Sequence, residues 1–248
     1  MTSYAETALT RGLNWLANAQ QAIAHNLANV NSAGFKRRHA IAEESPTAFH
    51  SVLEQTLPTV RYREVCDWRT GTLQATNDPG HVALESGDFF RVRGPDGRMY
   101  FTRSGELHTD AQGFLCDQSG YRYLDETGAE VQIRSEGDEA PGVLVAANGA
   151  LSDARDGRSL QRSLGVFRVA DRDALVPAGG GRFVDTRAHE PVVVPTTAVR
   201  QGSIEGSNVE TVGELVQMLV VQRAFQATAS VLRGFGELQS TFIRAVNR

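Results

Sequence analysis

The sequence predicts an α+β chain: N- and C-terminal α-helices packing as a coiled-coil-like assembly domain, with an inserted all-β domain of antiparallel hairpins between them. Three observations predict this. Apolar residues step by fours and threes from Leu9 to Val30, and the same spacing returns from Leu215 to Leu232. From about His81 to Val194 the apolar period falls to two. Two long helices flanking β structure suit a chain that packs its ends against something, rather than one organised around an active-site cleft.

The first helix is expected from about Tyr4 to Val30, roughly 40 Å at 1.5 Å per residue. Ser3 and Glu6 have the spacing of a capping box, in which each side chain satisfies a backbone N–H at the helix start. Leu9, Leu13, Leu16, Gln20, Ile23, Leu27 and Val30 make a heptad seam with a polar interruption at Gln20. The helix is expected to end where Asn29, Asn31, Ser32 and Gly34 crowd together, because these residues hydrogen-bond locally or accept left-handed backbone.

Residues 39–78 read as an extended connector. Lys36-Arg37-Arg38 precedes it, Pro46 and Pro58 interrupt it, and a short helix is expected around Thr47–Gln55. Val60, Tyr62, Val65 and Trp68 are too irregularly spaced for a strand assignment. The all-β outer domain spans residues 79–199. Its strand-length runs are Val82–Leu84, Phe89–Arg93, Met99–Thr102, Gly113–Cys116, Tyr121–Leu124, Val143–Ala146, Gly165–Val169, Arg182–Asp185 and Val192–Val194. Gly94-Pro-Asp-Gly97, Asp110-Ala-Gln-Gly113, Asp125-Glu-Thr-Gly128 and Ala147-Asn-Gly149 separate them as turns, at spacings that indicate consecutive antiparallel hairpins.

The second helix is expected to start at Ser207, whose pairing with Glu210 repeats the capping box. Leu215, Met218, Gln222, Phe225, Ala229 and Leu232 share a face, with Leu219 beside them. Gly234 and Gly236 are expected to kink or end the helix before Leu238, Phe242 and Val246 resume the apolar face. Residues 1–38 and 200–248 together form the discontinuous helical domain. Gln20 and Gln222 either fix register as buried polar residues or lie on solvent-facing surface.

With 248 residues, 41% of them apolar, the chain supports a real core. A net charge of −4 gives no positive field that would draw nucleic acid, which is not an expected partner. Lys36 is the only lysine, and every other basic residue is arginine. The guanidinium fork suits interfacial ion pairs, and a genome that favours arginine codons produces the same bias. Cys66 and Cys116 are far apart and read as small core hydrophobes. No run approaches the roughly 20 apolar residues of a membrane helix, so no membrane span is expected. The N-terminus lacks the basic region and apolar run of a cleaved secretory signal.

Catalytic, cofactor-binding and metal residues are assigned to none. The six histidines show no ligand spacing such as His-x-x-x-His, and no nucleophile motif accompanies His108 and Asp110. Gly179-Gly-Gly-Arg182 does not join a strand to a helix and reads as a turn.

Asn26-Leu-Ala-Asn-Val-Asn-Ser-Ala-Gly-Phe-Lys36 resembles the N-terminal signature of bacterial flagellar rod and hook proteins, and Ser207-Asn-Val-Glu-Thr-Val-Gly-Glu-Leu-Val-Gln-Met218 with Gln222-Arg-Ala-Phe225 resembles the C-terminal one. Gly71-Thr-Leu-Gln-Ala-Thr76, Val82–Phe90 and Phe101–Leu115 are similar to the family's β-domain motifs. The blocks follow the family order across nearly the whole chain. His81, Ser86, Asp88 and Gly213 depart from it, and Asp88 is expected to substitute for glycine by tolerating left-handed backbone.

The resemblance implies a non-enzymatic subunit of the flagellar basal-body rod, of proximal or distal type. Its terminal helices would polymerise into the hollow axial shaft that transmits torque, with the β domain outside. Partners would be copies of itself and other rod and hook axial proteins, together with surrounding ring proteins and the export apparatus, which passes subunits without a cleaved signal. The location would be the periplasm-spanning rod, and no cofactor is implied. The assembly interface would comprise Leu9, Leu13, Leu16, Ile23, Asn26, Leu27, Asn29, Asn31, Gly34 and Phe35, with Ser207, Asn208, Leu215, Met218, Leu219, Gln222, Arg223 and Phe225. A β-domain adhesin or binding module with a private terminal coiled coil is the alternative, separable by concentration-dependent polymerisation. A cell-wall hydrolase lacks an assignable acid pair.

Overall fold

The computed structural model describes residues 4–44, 60–133, 142–194 and 199–246. Ser3 of the first capping box and the helix expected around Thr47–Gln55 lie outside the described residues. The fold is mixed α and β, with antiparallel strands between an N-terminal and a C-terminal helix. The chain divides into two compact units, one of residues 1–28, 38–66 and 210–248, the other of residues 29–37 and 67–209.

The first unit contains α1 (Tyr4–Ala28), β1 (Arg38–Glu44), β2 (Val60–Cys66) and α2 (Thr211–Val246). In α1 the buried stripe is Leu16, Ala19, Ala22, Ile23 and Asn26, while Leu9, Leu13 and Leu27 are half-buried. The seam thus runs through Ala19 and Asn26, one residue ahead of the expected Gln20 and Leu27. Small and polar side chains carry it there, which a count of large apolar residues misses. Within the span expected to be a connector, β1 and β2 pair antiparallel over their full length, from Arg38 opposite Cys66 to Glu44 opposite Val60. The backbone ladder carries this hairpin, so no apolar period announces it. The Tyr62 hydroxyl donates to the Arg11 carbonyl of α1 at 2.8 Å.

The C-terminal helix starts four residues later than expected and runs unbroken past Gly234 and Gly236. A helical glycine costs only about 1 kcal/mol relative to alanine, which flanking turns can absorb. Ser207 does not cap it: its Oγ accepts from the Val209 N–H at 3.2 Å in a local turn, and the helix opens with Glu214 N–H donating to the Glu210 carbonyl at 3.0 Å.

The second unit is β structure: β3 (Leu73–Ala75), β4 (Val82–Leu84), β5 (Phe89–Arg93), β6 (Met99–Thr102), β7 (His108–Thr109), β8 (Leu115–Cys116), β9 (Arg122–Tyr123), β10 (Val143–Val145), β11 (Ala150–Asp153), β12 (Ser159–Ser163), β13 (Val166–Arg168), β14 (Leu175–Gly179), β15 (Arg182–Asp185), β16 (Val192–Val193), β17 (Val199–Gln201) and β18 (Ser203–Glu205). The main sheet follows the order β14-β15-β6-β5-β9-β8-β7, with β13 joining β5 to β16. Local hairpins form as expected, but distant strands also pair: β15 with β6, β13 with β5, β17 with β4 and β18 with β3.

The hairpin turns share one construction. Asp110, Asp117 and Asp125 each accept from the backbone N–H two and four residues on. Gly113, Gly120 and Gly128 then adopt φ of 81°, 80° and 83°, the left-handed position that the spacing Asp-x-x-Gly supplies. The strands between these turns bury both faces of β5. Phe90 and Val92 join the core of Leu84, Leu115, Tyr123, Ile133 and Leu164, while Phe89 stacks edge-on with Trp68 and Phe183 on the other side.

Candidate functional site

Two clusters gather the signature residues, one in each unit. In the second unit Lys36, the only lysine, is buried beside Glu205 and Arg103. Its Nζ donates to Glu205 Oε1 at 2.6 Å and to the Arg69 carbonyl at 2.8 Å. The other carboxylate oxygen accepts from Arg103 Nε at 2.7 Å, and the Gly71 N–H donates to Oε1 at 2.9 Å. Arg103 also donates to the carbonyls of Ser86, at 2.6 Å, and Asp88. Burial lowers the pKa of both Lys36 and Arg103, and the Glu205 charge opposes that shift.

The backbone makes this cluster possible. Gly34 has φ of 64°, and a Cβ there would lie 2.5 Å from the Arg103 carbonyl carbon and the Ser104 nitrogen. At Gly71 a Cβ would lie 1.9 Å from the Gly206 oxygen. Asn208 completes the joint. Its Oδ1 accepts from Arg37 N–H at 2.7 Å, and its Nδ2 donates to the carbonyls of Asp67 and Arg69 at 2.8 and 3.0 Å. Asp88 does not use left-handed backbone, contrary to expectation. It is buried and paired with Arg168 at 2.9 Å instead. Burial pulls its carboxyl up, but the hydrogen bonds from Arg168 and Ser86 and the charges of Arg168 and Arg103 outweigh this and hold it below the usual range.

In the first unit Asn26 is buried and forks onto the Arg38 backbone. Its Oδ1 accepts from Arg38 N–H at 2.8 Å, and its Nδ2 donates to the Arg38 carbonyl at 2.9 Å and to Glu214 Oε2 at 3.1 Å. Buried Glu214 belongs to α2, so this contact fixes α1, β1 and α2 together.

The expected interface residues therefore separate. Asn26, Gly34 and Phe35 are buried, and Asn208 is bonded within the chain. Leu16 and Ile23 are also buried, Asn29 and Ser207 are half-buried, and Asn31 is exposed. Along α2, Leu215, Leu219, Gln222, Arg223 and Phe225 are exposed, with Met218 half-buried. Val212, Val216, Val220, Val231, Phe235 and Leu238 extend the open apolar surface. Sequence reasoning missed Glu205, Arg103 and Glu214. The signal that could have found the first two is a solitary lysine, which needs a buried counter-charge if it is not on the surface.

Thr211–Thr241 is by length and composition apolar enough to cross a membrane, and none of its most apolar stretch is buried. This corrects the expectation that no such segment exists. Leucine, valine, phenylalanine and alanine raise the average, while glutamine, arginine, threonine and serine interrupt the apolar run. Among the described residues no group of three or more His, Cys, Asp or Glu could hold a metal, and Cys66 and Cys116 form no disulfide.

Comparison with known proteins follows the same blocks. Residues 200–245 match the family model described as "Flagellar basal body rod FlgEFG protein C-terminal", and residues 83–153 match "Flagellar hook protein FlgE/F/G D1 domain". The chain is 30% identical over 227 residues to the flagellar basal-body rod protein FlgG of Buchnera aphidicola from Acyrthosiphon pisum, covering 82% of this chain and 85% of that protein. It is 26% identical over 232 residues to the rod protein FlgF of Caulobacter vibrioides, covering 91% of each. With FlgG of Bacillus subtilis it shares 26% identity over 255 residues, covering 93% of this chain and 95% of that protein.

Proposed function

Because the chain belongs to the family of flagellar basal-body rod proteins, we propose that it is a structural subunit that polymerises through α1 and α2 into the hollow axial shaft transmitting torque in the basal body. The observation that carries this reading is the uncovered apolar row on α2, where Leu215, Leu219 and Leu238 are 50%, 57% and 70% exposed. Contiguous surface of this kind marks an interaction site. Each large side chain covered by a neighbour would contribute about 1.5–3 kcal/mol, a gain that exists only after assembly. In the polymer, α1 and α2 of neighbouring copies complete a coiled-coil-like seam in which Leu9, Leu13, Leu215, Met218, Leu219, Gln222, Arg223 and Phe225 take part. Asn26, Gly34, Phe35 and Asn208 serve it indirectly, by shaping the chain between helix and β structure. Partners are other copies, neighbouring rod and hook proteins, the surrounding rings and the export apparatus. The work is mechanical rather than enzymatic.

Leu219→Asp tests this better than a change at Ile23, which is already buried within one chain. The variant should keep the circular dichroism of the wild type, fail to polymerise and fail to restore motility to a strain lacking the protein. Normal assembly of the variant would sink the packing role of α2. Co-sedimentation of wild-type monomer with lipid vesicles, lost in the variant, would instead make the exposed row a membrane contact.

A further inference from the structure

Arginines along the main sheet of the second unit are paired with carboxylates: Arg93 with Glu130 at 3.2 Å, Arg122 with Asp110 at 2.9 Å, and Arg182 with Asp117 at 2.7 Å. Arg91, on the central strand β5, differs. Among the described residues no carboxylate lies within ion-pair reach of it, and its Nε is buried without a hydrogen-bond partner. Its guanidinium carbon lies 5.8 Å from the ring centres of both Phe101 and Phe167. A cation placed so is held by aromatic faces, but its Nε has lost water without gaining an acceptor. Burial, and then the nearby charge of Arg93, lower its pKa.

Arg91 lines a cavity of about 320 Å³ whose apolar wall includes Met99, Phe101, Val184 and Pro191. Asp185 also lines it, but its charge is already engaged. Its Oδ1 accepts from Arg187 N–H at 2.8 Å, and its Oδ2 accepts from His189 N–H at 3.0 Å and faces His189 Nδ1 at 3.2 Å. Glu190, at the same cavity, is exposed. The balance is one uncommitted cation, an apolar wall and carboxylates that repel a phosphate or other multiply charged ligand. It fits a single carboxylate on an apolar stem.

We propose that this cavity is an interface site that receives one glutamate side chain from a second copy of this chain, its carboxylate taken by Arg91 and its methylenes by the Phe101 and Val184 wall. A copy can supply the group, since Glu85 and Glu126 are exposed in the second unit. The fork of the guanidinium matches a carboxylate in bidentate geometry, which a lysine would not reproduce. The inference rests on the rod-subunit reading and gives it a polar lateral contact separate from the α2 row.

The test compares full-length wild type with Arg91→Met, Arg91→Lys and, as control, exposed Arg98→Met. Two readouts are taken: thermal unfolding of the monomer, and the amount recovered in self-assembled polymer and in purified basal bodies. Arg91→Met should unfold no more easily than wild type, because it removes an uncompensated charge. It should enter the polymer about tenfold less or worse, the loss of a charge-assisted pair. Arg91→Lys should recover only part of the assembly, and Arg98→Met should match wild type. Wild-type assembly by Arg91→Met overturns the proposal. So does a monomer that no longer folds, which would make Arg91 a structural residue. A defect confined to basal bodies, with normal self-assembly, overturns the assignment to a second copy and gives the glutamate to a different subunit. Absence of wild type from basal bodies defeats the rod-subunit reading itself, a distinct result.

Discussion

Lys36 Nζ sits 2.6 Å from Glu205 Oε1, joining positions 169 residues apart, with side-chain exposures of 2% and 0%. The glutamate is shared among Lys36, Arg103 and the Gly71 N–H, so it balances two cations at once. Replacing a buried pair wholesale can be neutral, but removing one partner strands the rest. Glu205→Ala should therefore destabilise the second unit by about 3–5 kcal/mol in urea unfolding, and Lys36→Met should cost clearly less, since Arg103 still neutralises the glutamate. Equal losses would show that the lysine contact dominates.

The same burial shields the only ε-amine in the chain. An amine-reactive ester applied to folded protein should label the α-amine and spare Lys36. Labelling of Lys36 should appear only in denaturant, in step with the unfolding transition. Mass spectrometry of the digest reads this directly. Rapid labelling of Lys36 in buffer would mean that the cluster opens far below the global unfolding cost.

Asn26→Asp keeps the size of the side chain but removes the donor to Glu214 and brings a second carboxylate beside it. The first unit should loosen by about 2–4 kcal/mol, from a lost buried hydrogen bond and like-charge repulsion. Hydrogen exchange should rise in α1 and β1 and stay unchanged in the strands β4 to β9. Uniform acceleration across both units would contradict their separation.

Asp88 supplies a pH test. Its carboxyl lies below the usual carboxylate value in the folded chain, so between the two values the unfolded state binds more protons. Its contribution is complete above about pH 4 and is lost as pH falls through the depressed folded value. Melting temperature measured from about pH 6 to pH 2 should fall less steeply for Asp88→Asn than for wild type. Asp110 and Asp185 are also held low, against the pull of burial, by hydrogen bonds from backbone N–H groups and from Arg122 or His189, so part of the acid slope should remain in the variant.

How much of this was legible depended on how local each cause is. The α1 helix, the Asp-x-x-Gly turns and strands such as β5 and β15 follow from neighbours in sequence and were readable. The β1–β2 hairpin was not, because polarity alternates only over Val60–Arg63 and is lost from Glu64 on and throughout β1. β11, β12 and β14 carry serine, glutamine and proline, and their pairing comes from cross-strand partners. The Lys36–Arg103–Glu205 cluster leaves no local trace, since its members are far apart and each alone looks like surface charge. Asn26, Gly34 and Asn208 stand out in the sequence as signature residues at the helix end and at the start of the C-terminal block. Their hydrogen bonds and close approaches inside one chain are tertiary and leave no local trace.

The pairing of β3 with β18 and of β4 with β17 has a consequence in time. Synthesis, or passage through any narrow conduit with the N-terminus leading, delivers residues 29–37 and 67–84 long before residues 199–209. Until that late stretch emerges, two strands lack their neighbours and Lys36 and Arg103 lack their carboxylate. A copy cut short before Glu205 would leave both cations stranded in a low-dielectric pocket and could not close. The second unit therefore stays open until β17 and β18 have been delivered.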